Sequence, residues 1–252
     1  MRAAQERHPE DFAFWPRTWI FPDDQGAGPS VANFKAGPLI FKPDDGCQGD
    51  GIYLLSSATD LDRTLAHAKS GTCVVQRYLA DPLLLPDGAG NGLKFDLRLY
   101  VLISSLSPLR VFLCHEGLAR VCSTPYEAPS KRNVHKLTSH LTNYSINKYE
   151  ATYEHHDDPT DGSKGTKRSL SAVMTYLATL GYNTTDLWES TVALVGRTSQ
   201  AMAATLLGEE PAVPFGALWP PPEGWVGYDK GLSAKQDTVS PVFSSRLVKH
   251  WY

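Results

Sequence analysis

Residues 41–52 read Phe41-Lys42-Pro43-Asp44-Asp45-Gly46-Cys47-Gln48-Gly49-Asp50-Gly51-Ile52, a lysine followed by three glycines and a glutamine. Glycine permits positive φ and lets backbone N–H groups approach an anion closely, and the lysine supplies the opposite charge. The spacing matches neither the P-loop nor the dinucleotide-binding pattern, so neither of those folds is indicated. The stretch predicts a loop that wraps phosphates. At this point the alternative is an ordinary hairpin turn with an incidental lysine.

The composition excludes several classes of protein. The 252 residues are 42% hydrophobic and 20% charged with a formal net charge of -3, which argues against a generally basic nucleic-acid binder. The four cysteines show no C-x-x-C spacing, so neither a zinc site nor a disulfide framework is indicated. Because the sequence contains neither the apolar core of a signal peptide nor a run of about 18 apolar residues, we expect a cytosolic protein without nucleic-acid or membrane partners.

The first half of the chain has the pattern of β-strands. Asp96 to Ile103 alternates between polar and apolar residues, and a second run follows the Ser107-Pro108 turn, which predicts an antiparallel pair. A short helix is predicted over 60–70 because Gly71 can end it. The predicted strands are 38–42, 51–55, 72–79, 96–103 and 110–116.

The second half changes to a helical period. Residues 168–180 place apolar side chains on one stripe that Gly181 can end, and Asp186-x-x-Glu189 predicts a capping box for a helix reaching about Leu207. Strands followed by helices indicate an α+β fold. Residues 208–252 are rich in Pro and Gly and are predicted to be an irregular, disordered tail. The alternative is a loop-rich cap packed through Trp219, Trp225 and Trp251.

Four further motifs follow the glycine-rich stretch in order: Cys73-Val74-Val75-Gln76-Arg77-Tyr78-Leu79, Lys94-Phe95-Asp96-Leu97-Arg98, Glu116-Gly117-Leu118-Ala119-Arg120 and His140-Leu141-Thr142-Asn143-Tyr144-Ser145. Together they resemble the tubulin tyrosine ligase-like family, most closely the polyglutamylases that elongate glutamate side chains. The resemblance covers roughly residues 11–207. It implies an ATP-grasp fold, in which ATP lies between two lobes and a carboxylate is activated as an acyl phosphate for attack by an amine.

The resemblance also implies roles for individual residues near ATP. Lys42 would contact the phosphates, Gln48-Gly49 would close the loop over them, and residues 76–79 would line the adenine pocket with their backbone groups. For Gln76 the alternative is an ordinary polar strand residue. The residues implied in nucleotide binding are Lys42, Gln48, Gly49, Gln76, Arg77, Tyr78, Leu79, Lys94, Phe95, Asp96, Thr142 and Asn143.

The resemblance places the chemistry on Lys94, Asp96 and Arg120. Arg120 would bind the incoming amino acid, since a guanidinium offers a two-point fork for a carboxylate. Tyr144, Ser145 and Lys167 would complete the substrate wall. From the residues alone, Lys94 and Asp96 could equally form a surface ion pair worth about 0 to 1 kcal/mol, and Lys167 could belong to a solvated helix start. Arg98 could orient Asp96 or contact substrate.

The chain departs from the family pattern at the metal. Such ligases need Mg²⁺ with ATP, held by an aspartate in a Gly-Phe-Asp strand and by a Glu-x-Asn pair. No Glu-x-Asn follows His140, and Gly227-Tyr228-Asp229 resembles the Gly-Phe-Asp element only weakly. No metal ligand is therefore assigned. We expect an ATP-grasp-like domain that is incomplete at its C-terminal end.

The function implied is therefore ATP-dependent ligation of free L-glutamate to glutamate side chains in the acidic tails of tubulin, with microtubules as partner. This indicates a cytoskeletal location, including the cilium. The alternatives are a glycine ligase acting on tubulin and a non-catalytic module that binds nucleotide or microtubules.

Overall fold

The structure, a computed structural model, describes residues 1–24, 26–67 and 71–208. The chain divides into two compact units. The helical unit contains Met1–Trp15, Leu97–Leu118 and the described residues from Ser169 onward, and the sheet unit contains Pro16–Asp96 and Ala119–Arg168.

The mixed architecture agrees with the α+β prediction. In chain order the elements are α1 (Arg2–Arg7), β1 (Thr18–Phe21), α2 (Val31–Lys35), β2 (Leu39–Pro43), β3 (Tyr53–Leu55), α3 (Ala58–His67), β4 (Cys73–Arg77), β5 (Leu84–Pro86), β6 (Gly92–Leu106), β7 (Leu109–Val121), a 3₁₀ turn (Leu137–Ser139), α4 (Tyr144–Asn147), β8 (Lys167–Ser169), α5 (Leu170–Thr179) and α6 (Thr184–Leu207).

The first sheet lies wholly in the sheet unit, with the antiparallel order β1-β4-β2-β3. Gln76 on β4 pairs with Thr18 on one side and with Ile40 on the other. Side chains alternate across a sheet, so one face carries the apolar cluster that includes Trp19, Phe41 and Val75. The opposite face carries Lys42, Gln76 and Thr18 on three neighbouring strands, which brings polar side chains together.

The second sheet has the order β5-β6-β7-β8. β6 and β7 are joined by Ser107-Pro108, a connection short enough only for an antiparallel pair, as predicted. The predicted alternation along β6 is also confirmed, since Arg98 and Tyr100 are exposed while Leu99 and Val101 pack against buried residues of β7. Within the helical unit, Trp188, Val192 and Val195 of α6 pack on that same cluster.

Two predicted helix starts are wrong. Arg168 lies in strand β8, and α5 begins only at Leu170. The Arg168 guanidinium donates to the carbonyls of Gly165 and Gly162, both at 2.7 Å, which holds this residue against the preceding loop. The predicted capping box at Asp186 does not form. The N-cap of α6 is Asn183, whose side chain accepts the Asp186 N–H at 3.2 Å. The helix ends were predicted correctly, with Gly181 just after α5 and Gly208 at the C-cap of α6 in left-handed conformations.

Other differences concern element bounds. Helix α2 was not predicted, and β3 starts at Tyr53 instead of residue 51, where Gly51 has a φ of 71. The predictions for 209–252 fall outside the described residues. No helix in the described ranges has both the length and the apolar character needed to cross a membrane.

Candidate functional site

The glycine-rich loop between β2 and β3 is held in a tight conformation. Gln48 and Gly49 both have positive φ, at 57 and 96. The Ser145 hydroxyl donates a hydrogen bond to the Gln48 carbonyl. A Cβ at Gly49 would lie 2.8 Å from Ile146 Cδ1 and 3.1 Å from Asn143 Cγ, so only glycine fits there. The loop therefore packs directly on the start of α4, which brings together four of the residues predicted for the site.

Lys42 lies at the base of this loop. Its Nζ donates to Gln76 Oε1 at 2.9 Å, and Gln76 Nε2 donates to Thr18 Oγ1 at 2.8 Å. Gln76 is 6% exposed, so its side chain is fixed inside the unit with both amide atoms bonded. Burial, together with the nearby charge of Lys94, lowers the pKa of Lys42 to about 8. Lys42 is thus an oriented and largely desolvated cation.

Lys94, on β6, is a second largely desolvated cation. Its Nζ donates to the Tyr78 hydroxyl and to the His140 carbonyl, both at 2.9 Å, and lies 4.3 Å from the centre of the Tyr78 ring. Burial is the main cause that lowers the pKa of Lys94. Within the described residues, neither Lys42 nor Lys94 lies within ion-pair distance of a carboxylate.

Asp96 pairs with Arg120 across β6 and β7. Arg120 Nε lies 3.1 Å from Asp96 Oδ1, and Nη2 lies 2.5 Å from Oδ2. The two side chains are only 15% and 10% exposed. The alternative of a surface ion pair between Lys94 and Asp96 is therefore wrong. Arg120 orients Asp96, whereas the Arg98 guanidinium lies over the Tyr100 ring at 5.6 Å.

The backbone N–H groups around the end of β4 are hydrogen-bonded up to Tyr78, and Leu79 differs from them. The N–H groups of Arg77 and Tyr78 donate to the carbonyls of Arg17 and Pro38 at 2.8 and 3.2 Å. The Arg77 side chain donates to the Asn33 carbonyl at 2.7 Å and so supports the connection from α2 to β2. Leu79 is 60% exposed, and within the described part of the chain its N–H has no hydrogen-bond acceptor. Phe95 is partly buried on β6.

Three of the residues predicted to contact substrate, Tyr144, Ser145 and Lys167, lie in or beside α4. The Lys167 ammonium lies 3.9 Å from the centre of the Tyr144 ring, and Tyr144 contacts Tyr153 edge-on at 5.9 Å. Lys167 belongs to strand β8, so the alternative of a helix start is wrong. Thr142 and Asn143 are buried just before α4.

Sequence reasoning missed His140, Thr18 and Tyr126. His140 is fully buried, its Nδ1 lies 3.3 Å from the Tyr78 hydroxyl, and the Tyr126 ring contacts it edge-on at 5.7 Å. A histidine directly before the Leu-Thr-Asn motif was the available signal. Thr18 and Tyr126 gave none, because their roles depend on strand pairing and on the path of the chain after β7.

Mg²⁺, which the resemblance implies, has no cluster of protein ligands among the described residues. Among them, no group of three or more His, Cys, Asp or Glu side chains could hold a metal ion. Gly227-Tyr228-Asp229 lies outside the described residues.

The chain belongs to the tubulin-tyrosine ligase family, whose model matches residues 1–212. It is 37% identical over 214 residues to tubulin polyglutamylase TTLL11 of Homo sapiens, covering 82% of this chain and 29% of the human protein. It is 37% identical over 215 residues to tubulin polyglutamylase ttll-11 of Caenorhabditis elegans, covering 81% and 28%. It is 40% identical over 183 residues to tubulin polyglutamylase TTLL13 of Homo sapiens, covering 72% and 20%. The chain spans less than a third of the length of these relatives.

Proposed function

We propose that this chain is the nucleotide-binding part of an ATP-dependent ligase that joins glutamate to glutamate side chains in the C-terminal tails of tubulin. The observation that carries the proposal is the pair of desolvated lysines, Lys42 and Lys94, whose positive charges repel each other. Two largely desolvated cations that have no carboxylate partner among the described residues are unfavourable unless an anion joins them. The phosphates of ATP supply that anion.

The glycine-rich loop would cover the phosphates. Backbone N–H groups in a glycine-rich turn can form a concave surface that binds anions, and the loop that follows Lys42, with positive φ at Gln48 and Gly49, would supply them. The contacts of this loop with Ser145 and Asn143 would hold it in place before ATP binds. When bound, ATP would supply the phosphoryl group that activates a carboxylate.

The adenine base would lie along the segment after β4. The exposed Leu79 backbone offers an N–H group that has no acceptor in the described part of the chain. A backbone N–H and a neighbouring carbonyl reproduce the donor and acceptor pattern of a base edge. Arg77 and Phe95 would support this pocket, with Arg77 acting through the carbonyls that its side chain binds.

Arg120 and Asp96 would serve the incoming amino acid. A guanidinium held by one carboxylate is pre-oriented, so less side-chain freedom is lost when it also binds a substrate carboxylate. Lys167, beside Tyr144, would contribute a second cation for free glutamate. Ser145 and Thr142 lie in the same stretch of chain. The three relatives described above are named tubulin polyglutamylases, which supports tubulin as the acceptor.

The ligase domain would comprise residues 11–207, and we derive no step through Mg²⁺, because the described residues contain no group of three or more metal-ligating side chains. Activity on tubulin would place the protein on the cytoskeleton, including cilia.

The test is incorporation of isotopically labelled glutamate into purified tubulin by the 252-residue chain with ATP, followed by mass spectrometry of the tubulin tails. We expect ATP-dependent addition of glutamate in preference to glycine, and loss of addition in Arg120→Met. If the chain binds ATP but adds no amino acid, it is a binding module and not a ligase. If glycine is added instead, the ligation reaction is supported, but glutamate is not the amino acid that the protein adds.

A further inference from the structure

Two protein groups accept hydrogen bonds from the ammonium of Lys94. The Tyr78 hydroxyl and the His140 carbonyl each accept a hydrogen bond from Nζ at 2.9 Å. The Tyr78 hydroxyl in turn lies 3.3 Å from His140 Nδ1. His140 therefore reaches Lys94 twice, once through its own backbone and once through Tyr78.

The donors and acceptors in this network restrict the direction of its hydrogen bonds. An ammonium has only donors, so the Tyr78 oxygen must accept from Lys94. The Tyr78 proton can then point to His140 Nδ1, which requires an imidazole that is neutral and protonated on Nε2. Burial and the positive charge of Lys94 lower the pKa of His140, and Lys136 adds to this, while the Asn133 carbonyl and Glu127 act in the opposite direction. The neutral imidazole is thus favoured at neutral pH.

Tyr126 fixes the plane of the imidazole. Its ring contacts His140 edge-on at 5.7 Å, and its hydroxyl donates to the Ala80 carbonyl at 2.6 Å. The Tyr126 hydroxyl is also a hydrogen-bond partner of the Tyr78 hydroxyl, so Tyr126 belongs to the same network.

Two of the three Lys94 protons are held by protein acceptors, and one remains for a ligand. We propose that His140 and Tyr78 are positioning residues that direct the remaining Lys94 proton toward the bound nucleotide, an inference that rests on the proposed function. A long lysine side chain has many rotamers, and holding it in one of them before ATP arrives reduces the entropy lost on binding.

A purely structural role would predict something different. If Tyr78 and His140 only fill space, removing the Tyr78 hydroxyl changes folding stability and leaves any effect on ATP affinity independent of Lys94. If they position Lys94, the hydroxyl matters for ATP only while Lys94 is present. A double-mutant cycle separates these cases.

The experiment measures the dissociation constant of ATP by calorimetric titration of the 252-residue chain. The variants are Tyr78→Phe, Lys94→Met and their combination, with Tyr182→Phe, at an exposed tyrosine outside the site, as the matched loss of a tyrosine hydroxyl. We expect Tyr78→Phe to weaken ATP binding about tenfold alone and less than about twofold in the Lys94→Met background. Tyr182→Phe should leave ATP affinity within about twofold of wild type.

Equal weakening by Tyr78→Phe in both backgrounds would overturn the positioning role and leave the nucleotide site intact. Absence of ATP binding by the wild-type chain would overturn the proposed function itself. Thermal unfolding followed by circular dichroism shows whether each variant is folded. If Tyr78→Phe does not fold, the comparison of His140→Asn with His140→Leu replaces it. Asparagine keeps an acceptor near Nδ1, so it should bind ATP more tightly than leucine does, and equal affinities would contradict the proposal.

Discussion

Arg120 and Asp96, which are 24 residues apart in the chain, meet in a two-point ion pair with Nη2 2.5 Å from Oδ2. Because both side chains are largely buried, removing one of them leaves the other charge desolvated and without this partner. The pair therefore serves stability and preorganises Arg120 at the same time.

Breaking this pair should destabilise the protein strongly. We expect Arg120→Met to lower the free energy of unfolding by about 3 kcal/mol, and the double variant Asp96→Leu/Arg120→Met to recover part of that loss. Urea denaturation provides the measurement. The exposed pair of Lys136 and Glu127 is the control, since Lys136→Met should cost less than about 1 kcal/mol. If the double variant lost more free energy of unfolding than the two single variants lose together, the result would contradict this account.

Lys42 should destabilise the free protein. Its pKa is lowered from 10.5 to about 8 on folding, so between these pH values the unfolded state binds more protons than the folded state. The free energy of unfolding therefore rises as pH increases through that window, and the contribution of Lys42 is constant below about pH 8. Lys42→Met should be more stable than wild type at pH 7 by roughly 1–2 kcal/mol, with the gain shrinking toward pH 10.5.

Chemical denaturation at several pH values checks this, with the exposed Lys35→Met as control. The account of Lys42 fails if Lys42→Met is less stable than wild type at every pH.

Gly49 should tolerate no side chain. Gly49→Ala places a Cβ on a residue with positive φ and brings it within 2.8 Å of Ile146 Cδ1 and 3.1 Å of Asn143 Cγ. Gly88→Ala also places a Cβ on a residue with positive φ, 79, but that Cβ has no atom within 4 Å. The difference between the two variants isolates the close packing of the loop on α4. We expect Gly49→Ala to be less stable than Gly88→Ala by roughly 1–2 kcal/mol in thermal or urea unfolding. Equal losses would mean that the loop does not pack on Ile146 and Asn143.

The start of α6 provides a test of helix capping. Asn183→Ala removes the side-chain acceptor for the Asp186 N–H and should lower the free energy of unfolding by about 1 kcal/mol. Glu189→Ala, at the end of the capping box predicted from sequence, should change it by less than about 0.5 kcal/mol. A larger loss of stability in Glu189→Ala than in Asn183→Ala would support the capping box at Asp186 instead.

Local patterns predicted much of the fold. Alternation identified β6 with its exposed and packed faces, Gly181 placed the end of α5 correctly, and the predicted end of α6 near Leu207 is confirmed. The start of α5 was mispredicted because Arg168 makes two hydrogen bonds to carbonyls of the preceding loop. No helical periodicity can reveal such contacts.

The site was predicted as a set of residues but not as a geometry. The glycine-rich stretch and the Lys-Phe-Asp motif pointed to Lys42, Lys94 and Asp96. Their partners depend on strand pairing and on chain reversals over long distances, so Gln76 orienting Lys42 and His140 holding Lys94 could not be read from the sequence.

The central claim is that Lys42 belongs to a nucleotide site, and the most direct test is calorimetric titration of ATP into wild type, Lys42→Met and Lys35→Met. The account predicts that the wild-type chain binds ATP, that Lys42→Met binds at least about tenfold more weakly, and that Lys35→Met stays within about twofold of wild type. A wild-type chain that does not bind ATP, or a Lys42→Met variant that binds it as tightly as wild type, would contradict the account.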